Sequence, residues 1–158
     1  MLKIKLGDRA PVFSLPDQAN TIHTLSDYQG QWVLLYFYPR DNTPGCTIEA
    51  CEIRDNFSEF TRLKAVVFGI SKDSAASHQK FIQKYKLPFT LLVDENKEVV
   101  KKYGVWSKKK FMGREFMGIN RISFLIDPKG RVVKIYENVK PKEHAQEVLK
   151  DLQVLSKS

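Results

Sequence analysis

The stretch "QWVLLYFYPRDNTPGCTIEACEIRD", residues 31–55, passes from an apolar segment through a turn into a helix bearing both cysteines of the chain. Gln31–Tyr38 is almost wholly apolar, as a strand covered on both faces of a sheet must be. Thr43 offers a helix N-cap, and Pro44 suits the first helical position, where a missing N–H costs nothing. The pattern predicts one helix over residues 44–60. Cys46 then lies in its first turn, among unpaired backbone N–H groups and at the positive end of the dipole. Both favour thiolate, the reactive form of cysteine.

On a helical wheel Cys46, Ala50, Ile53, Phe57 and Phe60 fall within about 80°. This stripe is expected to face the sheet, with Cys46 at the floor of a pocket. Cys51 lies about 140° round, on another face. Five residues of helix separate the two Cα atoms by roughly 8.7 Å, beyond the limit of about 7 Å for a disulfide. A permanent staple is the poorer reading. If the sulfurs react with each other, the first turns must unwind.

Metal ligation fares no better, because the spacing is C-x4-C and His23, His78 and His144 show no ligand pattern beside it. His78 shares a stripe with Phe81, Ile82 and Tyr85 and reads as a packed histidine. The spacing is not the C-x-x-C of a dithiol oxidoreductase, and no lysine follows Gly45 to make a phosphate loop.

The remaining chain sets the context. Its 158 residues suit one domain, residues 1–158, and 42% apolar with 28% charged residues is a globular composition. The net charge of +8 comes from scattered lysines, with Lys108–Lys110 the one run, and no nucleic-acid motif accompanies them. Specific nucleic-acid binding is therefore not expected, although the charge favours anionic partners. The longest apolar run, Val33–Tyr38, falls far short of the roughly 20 residues of a membrane span. The N-terminal residues show no secretory pattern, and two cysteines do not make a disulfide-stapled module, so a reducing, cytoplasmic setting is expected.

Phe13–Leu15 and Thr21–Leu25 predict a small hairpin. Strands are expected at Ala65–Ser71 and Thr90–Val93, a helix over Ser74–Tyr85, and a short helix capped by Asn96 and stopped at Gly104. Ser107–Asn120 reads as a long loop near the site. Arg121–Asp127 and Arg131–Tyr136 predict a second hairpin, and Ala145, Val148, Leu149, Leu152 and Leu155 mark a last helix. This order implies an α/β chain with a mixed central sheet flanked by helices and an N-terminal β-hairpin extension. A strand entering a helix whose first turn bears a cysteine is the layout of a thioredoxin-like fold.

"FYPRDNTPGCTIEAC" contains P-x-x-x-T-x-x-C, and here the chain resembles the peroxiredoxins. The C-x4-C spacing is similar to that of the bacterioferritin comigratory protein, or peroxiredoxin Q, branch. The resemblance continues through "GDRAPVFSLPDQ", "GISKDSAASHQKF", "KKYGV" and "GINRISFLIDPKGRV". Small departures are Val93, where the branch often has serine, and Ile122-Ser123, where threonine is frequent.

The resemblance implies a thiol peroxidase needing no metal, haem or flavin. Cys46 resembles the peroxidatic cysteine, which attacks a hydroperoxide and becomes a sulfenic acid. Cys51 resembles the resolving cysteine, which condenses with it to an intramolecular disulfide that thioredoxin or a similar dithiol reduces. Thr43 and Arg121 match residues that orient the peroxide and stabilise charge, and Pro39 matches the proline that shields the sulfenic acid. Glu49 matches a shared position with a supporting role. By position alone Arg121 would read as an exposed arginine at a strand start. A monomer is expected, because the resolving partner lies in the same chain.

Thiolate formation alone is a small part of such chemistry. A free cysteine is about 3% thiolate at neutral pH, so a two-unit pKa drop gains roughly 20- to 30-fold, about 2 kcal/mol. A lower pKa also weakens the nucleophile. Donors aimed at the breaking O–O bond must supply more: the Cys46 N–H, the Thr43 hydroxyl and the Arg121 guanidinium. Two rivals are a basic binding module with bystander cysteines, and a thioredoxin-type disulfide reductase, against which the C-x4-C spacing argues.

Overall fold

A computed structural model of the chain describes residues 2–157. Gln31–Tyr38 supplies the middle of the sheet, as its unbroken apolar run demands. Labels follow chain order: β1 (Ser14–Pro16), β2 (Ile22–Thr24), β3 (Trp32–Phe37), α1 (Pro44–Asp55), α2 (Phe57–Arg62), β4 (Ala65–Ser71), α3 (Ala75–Tyr85) and β5 (Thr90–Val93). Then come α4 (Glu98–Lys102), β6 (Trp106–Phe111), β7 (Arg114–Ile119), β8 (Ser123–Ile126), β9 (Val132–Tyr136) and α5 (His144–Leu155). The central sheet has five strands in the order β5-β4-β3-β8-β9. β3 runs parallel to β4, with Leu35 opposite Phe68, and antiparallel to β8, with Leu35 opposite Phe124. The mixed, thioredoxin-like sheet flanked by helices is thus present, and β1–β2 forms the expected N-terminal hairpin.

Alternation along β3 divides the core into two layers. Val33, Leu35 and Phe37 pack with Val99, Val100 and Tyr103 on one face. Leu34, Tyr36 and Tyr38 face the other, which contains Cys46, Ala50 and Ile53 of α1, Phe60 of α2, Phe81 of α3 and Leu152 of α5. The α1 stripe therefore lies against the sheet, as its period requires.

Three expectations need correction. The helix over residues 44–60 is two helices, broken at Asn56, whose side-chain amide donates to the Glu52 carbonyl at 2.8 Å and competes with the helical ladder. The short helix is capped by Lys97 rather than Asn96. Ser107–Asn120 is not a loop: β6 and β7 pair antiparallel from Trp106↔Ile119 to Phe111↔Arg114. Their turn is Met112-Gly113, with φ of 51° and 79°, the left-handed pair of a two-residue hairpin. Most of this ribbon is exposed on both faces, so the apolar alternation that reveals a half-buried strand is missing. No helix among the described residues is long and apolar enough to cross a membrane.

Candidate active site

The loop from β3 to α1 holds the chemistry. Pro39 stands half-buried at its entrance. Asp41, two residues on, is buried and accepts from Tyr38 Oη at 2.5 Å and Ser77 Oγ at 2.7 Å. Its carboxylate also meets His78 Nδ1 at 2.6 Å, while His78 Nε2 donates to the Leu92 carbonyl at 2.8 Å. The Asp41 N–H donates to Asp73 at 2.8 Å. The loop is thereby tied to α3 and β5 just before the helix begins. His78 is fully buried and packed, as its stripe implies. Asp41, Asp73 and His78 offer ligand atoms within 4.8 Å of one another, but these contacts already engage both Asp41 oxygens and both His78 ring nitrogens.

Thr43 has the extended backbone of an N-cap, and its carbonyl accepts the first helical bond from Thr47 at 2.8 Å. Its hydroxyl does not cap the helix. It donates to the Arg40 carbonyl at 2.9 Å, which leaves the Cys46 N–H unclaimed by that side chain. Cys46 is 1% exposed, so the expected pocket floor is closed over in this form. Arg121 Nη2 donates to Cys46 Sγ at 3.3 Å, and its Nη1 donates to Glu49 Oε1 at 2.7 Å. Arg121 lies outside β8 rather than starting it, and its side chain is 20% exposed. Its guanidinium nitrogens hold two groups of α1.

Glu49, to which the resemblance gives a supporting role, lies directly against Arg121. It is fully buried, and its second oxygen has no partner. Burial pushes its carboxyl up to about 7, against the opposing pull of Arg121. Arg121 is itself held more firmly protonated: burial opposes the charge, but Glu49 and Cys46 outweigh it. Behind it, His144 Nε2 lies 2.8 Å from Ser123 Oγ and anchors α5 to β8. Burial, with Arg121 nearby, lowers the pKa of His144.

Both cysteines are free thiols, and α1 runs unbroken through them. Cys51 is half-buried on a different face, and burial raises its pKa. Beyond it, Arg54 Nη1 donates to the Tyr85 carbonyl at 2.7 Å and fastens the end of α1 to α3. Cys46, Glu49 and Arg121 thus meet, Thr43 and Pro39 precede them in the loop and cap before α1, and Cys51 lies further along the same helix.

A thioredoxin-like fold with a cysteine and arginine paired at a helix start defines a class of thiol enzymes, and this chain belongs to the AhpC/TSA family, whose model matches residues 6–135. Within that class its relatives are peroxiredoxins. It is 45% identical over 155 residues to peroxiredoxin Bcp of Bacillus subtilis, covering 98% of this chain and 99% of that one. It is 47% identical over 149 residues to peroxiredoxin Bcp of Escherichia coli, covering 94% and 96%. Among solved structures, a cysteine-to-serine mutant of Xylella fastidiosa PrxQ matches with a TM-score of 0.92 at 36% identity, covering 97% and 98%. BcpB of Mycobacterium tuberculosis matches with a TM-score of 0.85 at 34% identity, covering 96% and 98%. The chain is accordingly a peroxide-reducing thiol oxidoreductase.

Proposed function

We propose that Cys46 is the attacking sulfur and Cys51 the resolving one. The observation that carries this reading is the Arg121 fork, which places a fixed positive charge against the Cys46 sulfur at the start of a helix. The thiolate attacks the distal oxygen of a hydroperoxide, the O–O bond breaks, and the departing alkoxide or hydroxide takes a proton to leave as alcohol or water. Cys46 becomes a sulfenic acid. Arg121, Thr43 and the Cys46 N–H stabilise charge on the two oxygens, and Pro39 shields the product.

Within an intact α1 the two sulfurs stay out of bonding range, by the helical separation of roughly 8.7 Å. The first turns therefore unwind, the Cys51 sulfur attacks the sulfenic acid, and water leaves as the disulfide forms. A dithiol reductant of thioredoxin type returns two electrons, and the helix rewinds. The scheme uses one chain and only protein groups. It is tested by single-turnover peroxide consumption: Cys46→Ser abolishes the reaction, whereas Cys51→Ser gives one equivalent and no dithiol-supported cycling. Peroxide consumption surviving in Cys46→Ser sinks the assignment.

A further inference from the structure

The β6–β7 hairpin carries an unusual surface. Of the nine large apolar side chains exposed among the described residues, four lie here: Phe111, Met112, Phe116 and Met117, at 68, 87, 48 and 47%. The two strands make their principal contacts with each other. Met112 occupies the first left-handed position of the turn, φ 51°, where asparagine, aspartate or glycine serves at lower cost. Nothing in the protein's packing repays that cost, because the side chain points almost wholly into solvent. A strained backbone that displays an apolar side chain points to a partner outside the molecule.

The charges around the tip say what that is. Lys108, Lys109, Lys110 and Arg114 stand on the hairpin against Glu115 as its one acidic residue. Glu115 is paired with Lys108 at 3.1 Å, and Lys109 turns inward to donate to the Ile119 carbonyl at 2.7 Å. Lys110 and Arg114 therefore flank the tip, immediately behind or beside Phe111 and Met112. We propose that this hairpin tip docks on an anionic lipid bilayer surface. The tip is convex, with an apolar apex and cations one or two residues behind it. At about 3.4 Å per residue, inserting the apex places those cations in the head-group layer, matching the roughly 5–10 Å depth of interfacial insertion. A second copy of the chain is disfavoured, because its own hairpin brings the same positive charge. Arg121 follows Arg114 by seven residues, so a docked tip keeps the peroxidase site within about 24 Å of chain from the lipid. Docking of this kind does not depend on which sulfur attacks peroxide.

The test is co-sedimentation of the full chain with phosphatidylcholine vesicles, with and without phosphatidylglycerol. Binding is expected only to the anionic vesicles and is lost at high salt. Met112→Asn is expected to weaken it by at least about tenfold, the value of one large apolar side chain withdrawn from the interface. Arg114→Glu weakens it as well. Neither variant changes peroxide consumption in solution, and Met112→Asn leaves thermal stability equal or higher, because it relieves the turn. Phe111→Ser serves as a second apolar variant. No binding, equal binding to neutral vesicles, binding indifferent to all three variants, or a tip that instead self-associates would each overturn the proposal.

Discussion

Glu49 keeps one oxygen on Arg121 and buries the other without a partner, so its proton is linked to the state of α1. Its carboxyl sits at about 7 in the folded protein against an ordinary 4.5 and returns towards the latter when α1 opens to water. The folded form holds the proton better. Its contribution to stability is therefore complete below about 4.5 and is lost as pH rises through about 7, a span on the order of 3 kcal/mol. Wild type is expected to lose thermal stability between about pH 5 and pH 8, and Glu49→Gln to flatten that slope. Parallel melting curves for the two proteins would defeat the assignment. Arg121→Lys keeps a charge but loses the fork, and stopped-flow peroxide oxidation is expected to slow by about 100-fold. Gly45→Ala tests the same fork sterically, since an added Cβ would lie 3.0 Å from Arg121 Nη2; it is expected to slow oxidation while leaving α1 folded. The position of Cys46 was readable from turn chemistry and helical period. Glu49 came only through the family resemblance, because its cationic partner lies 72 positions away.

α1 is anchored at both ends, and between them Arg121 holds Cys46 and Glu49. The Asp41 cluster fixes the loop before it, and Arg54 fixes its last turn to Tyr85. Unwinding confined to the first turns therefore gives up the Arg121 contacts but needs neither end anchor to break. Hydrogen exchange on the peroxide-treated Cys51→Ser protein is expected to show lost protection there, with β3 unchanged; protection retained throughout α1 would refute this hinge. These anchors escaped sequence reading because each joins groups distant along the chain, 37 positions apart for Asp41 and His78. The hairpin of β6 and β7 escaped for another reason: solvent on both sides erases the alternation by which strands announce themselves.

Over the whole molecule, the mixed sheet was legible because its central strands are apolar on both faces and its helices carry one-sided stripes. Close packing sets tight limits on it. At Gly69 in β4 an added Cβ would lie 2.7 Å from Leu91 and 2.8 Å from the Tyr36 ring. Gly69→Ala is expected to destabilise the protein by about 1–3 kcal/mol, measurable by denaturant titration, through overpacking rather than backbone strain. The register of β3 against β8 joins Val33 to Ile126. During synthesis the sheet cannot close until that distant strand has left the ribosome. β4, the parallel neighbour of β3, is made well before β8, so the sheet is completed last on the side that carries β8 and β9.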